Sequence, residues 1–197
     1  MVLSDFKAKD DFRDSLQLLQ DSLDQYYEGK KAHYRTIAVQ LWILLCDGDI
    51  PLVERVFPDF RLLPLIGTKS KKNEPTPMDQ IREILGPNRL FFPINIIGNG
   101  KSVPKVELLI DKQQDPIELV EWLDQSFLSN RITIRKFLKS VRHKLGAHSD
   151  PDYDEILRAT KSLRLTGIES LELIIISLGE HILNEIQSHN NTLSSIL

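Results

Sequence analysis

A single cysteine, Cys46, stands in the 197-residue chain, so no intramolecular disulfide can form. A reducing, cytoplasmic setting fits that scarcity. Cys46 lies in the apolar run WILLCDG and reads as a small buried hydrophobe rather than a nucleophile. Long hydrophobic runs are also missing. The most apolar stretches, IAVQLWILLC and LELIIISLGEHIL, fall short of the roughly 20 residues that a membrane-spanning helix requires. The opening MVLSDFKAKDDFRD is polar and acidic, unlike a signal peptide. The protein is therefore expected to be soluble and cytoplasmic, with no membrane partner. Nor is there a large excess of one charge. The formal net charge is −3, which argues against a protein that coats nucleic acid by bulk electrostatics. The motifs G-x-S-x-G, the Walker phosphate loop and the dinucleotide fingerprint are absent.

Proline is scarce except in one region. Nine of the ten prolines fall between residues 51 and 116, and the tenth is Pro151. Proline removes a backbone donor and clashes with the preceding turn, so long helices should flank a differently built middle. Residues 5–28 read as the first helix, with Phe12, Leu16, Leu19, Leu23 and Tyr26 on one face and Gly29 as its stop. Residues 31–46 read as the second, with Tyr34, Ala38, Leu41 and Leu45 in register. Its apolar end should lie in the core. In the middle, TKSKKNEPTP at 68–77 is expected to be an exposed, mobile loop. Residues 89–111 read as a β-hairpin: FFPINII and VPKVELLI are strand-like, and Gly98 to Lys101 forms the turn.

Helices then resume. Asp115-Pro116 should open one that runs to about Phe127, with Ile117, Val120, Leu123 and Phe127 as its stripe. Residues 131–145 form another, and the last runs from about 166 to 188. Its seam of Ile168, Leu171, Ile175, Leu178, Ile182 and Ile186 suits either the core or a subunit contact. The tail SHNNTLSSIL should fray. The fold expected is mainly α, a bundle of about five to six helices. It would form a single domain over residues 1–197, with a small antiparallel β-hairpin or sheet insertion at about 51–115.

The segment 129–155, SNRITIRKFLKSVRHKLGAHSDPDYDE, is where chemistry concentrates. Ile134, Phe137, Leu138, Val141 and Leu145 make an apolar helical face. Arg131, Arg135, Lys139 and Arg142 step along a different one. From 131 to 150 there are six Lys or Arg against one Asp. Such a strip can track a phosphate backbone, and Arg131, Arg135, Lys139 and Lys144 are the candidate RNA-binding residues. It also suits a solvated helix end favoured by the helix dipole. On an unbroken helix, Arg142 and His148 would stand about 9 Å apart along the axis and about 600° apart in rotation. They converge only through a bend at Gly146, or from two copies of the helix. A histidine can move protons near neutral pH, and an arginine can hold a phosphoryl transition state. Together they suffice in principle to cleave RNA without a metal. A metal site at His143, His148, Asp150 and Asp152 lacks any established ligand spacing, and a helix N-cap explains Asp152 or Asp154 more simply. No metal or cofactor is therefore expected.

Arg142, the polar His143, four further residues (Lys144, Leu145, Gly146, Ala147) and then His148 match the Arg-polar-x4-His motif, so this segment resembles HEPN domains. YYEGKKAHYRTIAVQLWILLCD and VRHKLGAHSDPDYDE further resemble a group of uncharacterised bacterial proteins with a G-A-H-x-D signature. The resemblance implies a helical bundle that forms a homodimer with both motifs at the interface. In active members the pair works as a metal-independent ribonuclease, often in toxin or defence systems. Carried over, Arg142 stabilises the phosphate, His148 is the acid-base catalyst and His143 the polar support, with single-stranded RNA as the partner. The alternative is a non-catalytic nucleotide- or RNA-binding, or protein-interaction, module on the same scaffold. The Pro-rich middle and Gly146 depart from a minimal bundle, and the sequence names no antitoxin or other protein partner.

Overall fold

The computed structural model describes residues 3–66, 91–98, 101–129, 131–145, 151–161 and 170–196. The chain is mainly helical, with a small antiparallel β component. The described residues hold seven α-helices and three two-stranded antiparallel sheets. They fall into two compact units. The first comprises Met1–Phe60, Leu138–Asp150 and Leu178–Leu197, and the second Arg61–Phe137 and Pro151–Ser177.

In the first unit, α1 (Leu3–Tyr27) buries Phe12, Leu19, Leu23 and Tyr26, the face its periodicity predicts. It ends as the sequence suggests. Gly29 takes φ +99°, its N–H donates to the Tyr26 carbonyl at 3.0 Å, and the Lys30 N–H donates to the Gln25 carbonyl at 3.0 Å. These two bonds close a Schellman motif and satisfy carbonyls that the helix end leaves open. One 3-10 turn, Lys31–His33, then leads into α2 (Tyr34–Leu45), so the expected helix over 31–46 starts in a tighter form. Buried Ile37, Ala38, Leu41, Leu44 and Leu45 make α2 a core helix, and Cys46 beside them is buried as expected. Gly48, at φ +78°, turns the chain after Asp47. A short helix α3 (Leu52–Val56) follows Pro51, where strands and loops were expected. Helix α1 packs against α2 and α3.

In the second unit, the expected hairpin forms from β2 (Phe91–Gly98) and β3 (Lys101–Leu108), registered from Phe91 with Leu108 to Gly98 with Lys101. Strand β1 (Arg61–Leu62) pairs with β4 (Ile117–Glu118). That pairing corrects the helix expected over 116–127. Glu118 is extended, at φ −63° and ψ 150°, opposite Arg61, and helix α4 covers only Leu119–Leu123. It buries Leu119, Trp122 and Leu123 and leaves Val120 half exposed, so the helical stripe read from Ile117 and Val120 does not form. The Trp122 indole donates to the Leu63 carbonyl at 3.2 Å, and the Leu65 N–H donates to the Gln125 side chain at 3.1 Å. These long-range bonds outweigh the local helical preference. Phe127 lies in β5 (Ser126–Ser129), paired with β6 (Ile132–Thr133), and stacks edge-on against Phe137 at 5.3 Å.

Three more helices complete the chain: α5 (Ile134–Leu145), α6 (Pro151–Lys161) and α7 (Ser170–Ile196). The Thr133 hydroxyl accepts the Lys136 N–H at 3.2 Å and caps α5. Pro151 begins α6, so Asp152 and Asp154 sit within its first turn rather than at its N-cap. The seam of α7 is buried within the single chain at Leu171, Ile175, Leu178, Ile182 and Ile186. Helix α7 also continues to Ile196, through the tail expected to fray. Ile168 and the loop 68–77 lie outside the described residues.

Candidate functional site

Helix α5 carries the basic strip. Its apolar side is settled: Ile134, Phe137, Leu138 and Val141 are buried. Residues 135, 139 and 142 step by four and three, which sets them on a common face. They do not share one role. The Arg135 Nε donates to Asp124 Oδ1 at 3.0 Å, an ion pair that ties the first turn of α5 to the end of α4. Lys136, on the neighbouring face, lies 4.0 Å from Glu155 of α6. Lys139 and Arg131 are exposed. Of the candidate phosphate-tracking side chains, Arg135 thus has a carboxylate partner already. Lys144 lies in the last turn of α5, and its side chain is outside the described set.

Arg142 and His143 are both exposed in the last turn of α5, where cations suit the negative end of the helix dipole. Arg142 is also positioned. Its guanidinium carbon stands 5.2 Å from the centre of the Trp42 ring, on α2. The Trp42 indole in turn donates to Asp47 Oδ1 at 3.3 Å, which orients the ring. A guanidinium lying over an aromatic face keeps its N–H donors in its own plane, where a phosphate can meet them.

Gly146, His148 and Asp150 lie outside the described residues, as does the side chain of Asp152. The structure therefore brings Arg142 onto Trp42, with His143 exposed as the next residue of the same helix end. Sequence analysis missed Trp42, because WILLCDG reads as continuous core. The signal that could have marked it is the Trp42-to-Asp47 spacing, which allows the indole N–H a local acceptor just past the helix end.

Among the described residues, no group of three His, Cys, Asp or Glu side chains is placed to hold a metal ion. No described helix is long and apolar enough to cross a membrane. The chain matches no family model, no curated protein and no solved structure.

Proposed function

We propose that this chain is a metal-independent endoribonuclease of the HEPN kind, acting as a homodimer on single-stranded RNA. The observation that carries the proposal is Arg142, an exposed guanidinium held over the Trp42 ring in the last turn of α5, six residues ahead of His148 in the sequence. Its planar donors suit the equatorial oxygens of a phosphorane. Exposed Lys139, three residues before Arg142 on the same helix, adds positive charge and suits a flanking phosphate.

In the proposed reaction the ribose 2′-oxygen attacks the adjacent phosphorus and loses its proton to a base. The bond from phosphorus to the 5′-oxygen breaks, and that oxygen takes a proton. The products are a 2′,3′-cyclic phosphate and a 5′-hydroxyl end. His148 is the proton-transfer group, Arg142 stabilises the added negative charge, and His143 supports them from the same helix end.

The test is cleavage of a single-stranded RNA with chelator present. Wild type should leave a cyclic phosphate, whereas His148→Ala and Arg142→Ala should each lose activity by about a hundredfold or more. A DNA of the same sequence should survive, because it lacks the attacking hydroxyl. RNA that is bound but never cut by wild type would replace the nuclease with a non-catalytic binding module on the same scaffold. Cleavage unchanged in His148→Ala would remove the mechanism.

A further inference from the structure

Helix α2 carries a guanidinium of its own besides the one that reaches it from α5. Arg35 is exposed, and its guanidinium carbon stands 5.8 Å from the centre of the Tyr34 ring. Its Nε also donates to the Tyr34 hydroxyl at 3.4 Å. This pairing repeats the one at the other end of the helix, where Arg142 lies over Trp42. Both rings are half-buried, and both arginines are exposed. Arg35 precedes Trp42 by seven residues, which is about 10 Å along the axis and about 20° short of two full turns. Arg35 and Trp42 therefore share one face of α2, with half-buried Val39 between them.

Charge singles out the same region. Helix α2 and the end of α5 from Leu138 to Leu145 hold four Lys or Arg and no Asp or Glu. Helix α1, in the same unit, holds six Asp against three Lys or Arg. The acids that flank α2 in the chain are engaged: Glu28 lies 3.7 Å from Lys30, and Asp47 accepts the Trp42 indole N–H. A chain of net charge −3 thus gathers cations, two of them backed by aromatic rings, around one helix. Guanidiniums interleaved with rings suit an unpaired nucleic-acid strand, whose phosphates take the charge and whose bases can lie against the rings.

We infer that an RNA strand held at Arg142 continues along α2 to Arg35, which binds a second phosphate beyond the scissile one. This rests on the reading of Arg142 as the residue that holds the scissile phosphate. Tyr34 positions Arg35 as Trp42 positions Arg142. The span of about 10 Å exceeds a single phosphate-to-phosphate step, so the substrate class is an unpaired strand of several nucleotides rather than a dinucleotide.

The test is binding of the full chain to a labelled 2′-O-methyl oligouridine of about ten nucleotides, followed by fluorescence anisotropy. This probe lacks the attacking hydroxyl and stays intact. Arg35→Ala should weaken binding by about fivefold or more at about 0.1 M salt. It should also make the slope of log affinity against log salt shallower by about 0.7, the value for one phosphate of a single strand. Arg35→Lys keeps the charge and should restore the slope. Arg13→Ala removes an equal charge from α1 and should change neither reading. The same strand annealed to its complement should compete poorly. Failure of wild type to bind would overturn the inference, as would Arg35→Ala equal to wild type in affinity and slope. So would Arg13→Ala equal to Arg35→Ala, or competition by the duplex as strong as by the single strand, either of which marks a diffuse charge effect. Unmodified RNA judges the nuclease separately. Binding weakened by Arg35→Ala, with no cleavage by wild type, would keep the track and remove the nuclease. Cleavage by wild type, with affinity unaltered in Arg35→Ala, would keep the nuclease and remove the track.

Discussion

The Arg142 guanidinium carbon lies 5.2 Å from the centre of the Trp42 ring, so an exposed cation on α5 is fixed by an aromatic face on α2. At an exposed site such a contact contributes about 0.5–1 kcal/mol. Trp42→Leu should therefore weaken RNA affinity by a few-fold while leaving the proton-transfer step intact. Arg142→Lys keeps the charge but loses the planar fork, and should cost about a hundredfold in the cleavage step. Single-turnover kinetics on single-stranded RNA separates the two effects. Full activity in Arg142→Lys would deny the guanidinium its part in holding the phosphorane.

The Tyr27 hydroxyl donates to Glu180 Oε1 at 2.6 Å, joining the end of α1 to α7. Burial raises the Tyr27 pKa above its ordinary value, and the Glu180 carboxylate raises it further, first as hydrogen-bond acceptor and then as charge. The folded chain therefore holds this proton more tightly than the unfolded chain does. The stabilisation is complete below the unfolded value of about 10 and is lost as pH rises through the folded value. Two-fifths of Tyr27 is exposed, so solvent screens part of the effect. Thermal melts should fall more steeply above pH about 10 in wild type than in Tyr27→Phe. Near neutrality the same substitution should cost about 0.5–1 kcal/mol.

What the sequence revealed follows from the range of the forces involved. The Schellman end at Gly29, the buried faces of α1, α5 and α7, and the hairpin at 91–108 are local patterns. Each was legible from spacing or turn chemistry. The segment 116–127 was misread because its conformation is set from a distance. Arg61, Leu63 and Leu65 lie more than fifty residues away, and they hold Glu118 extended, anchor Trp122 and engage Gln125. The candidate site divides in the same way. The exposure of Arg142 and His143 follows from the helical period, whereas the Trp42 platform and the Asp124 partner of Arg135 depend on tertiary placement. His148 lies outside the described residues, so its side of the motif rests on the sequence alone.

Gly179 is a close approach of α7 to α1 and α2. A Cβ there would lie 2.8 Å from Ile37 Cγ2, 3.5 Å from Leu23 Cδ2 and 3.6 Å from Leu19 Cδ1. Ile37 is fully buried and β-branched, so that methyl cannot swing away. Gly179→Ala gains about 1 kcal/mol of helix propensity but incurs about 1–3 kcal/mol of overpacking. The net should be a loss of about 1 kcal/mol in denaturant unfolding. Ile37→Leu removes the branched methyl. In that background Gly179→Ala should become neutral or stabilising, and the double-mutant cycle reads the coupling directly. Additive effects would show that the helices do not meet at this point.

His181 should contribute to the acid limb of stability. Its side chain is 11% exposed, and burial lowers its pKa to about 4. Its Nδ1 lies 3.8 Å from Glu185 Oε1, too far for this contact to recover the hydration that a charged imidazole would lose, so His181 is neutral in the folded chain at pH 7. The unfolded chain takes up this proton at about pH 6.5. The stabilisation is therefore present above that value and declines as pH falls towards the folded value. Glu185 acts in the opposite sense. Burial raises its pKa, partly offset by the charge of His189, so its protonation favours the folded chain as acid is added. The His181 contribution alone should fall by about 2–3 kcal/mol between pH 6.5 and 4, and Glu185 offsets part of that loss. His181→Leu should flatten this limb in urea titrations at stepped pH. Glu185→Gln, which removes only the opposing term, should steepen it. A limb of unchanged slope in His181→Leu would assign acid unfolding to other groups.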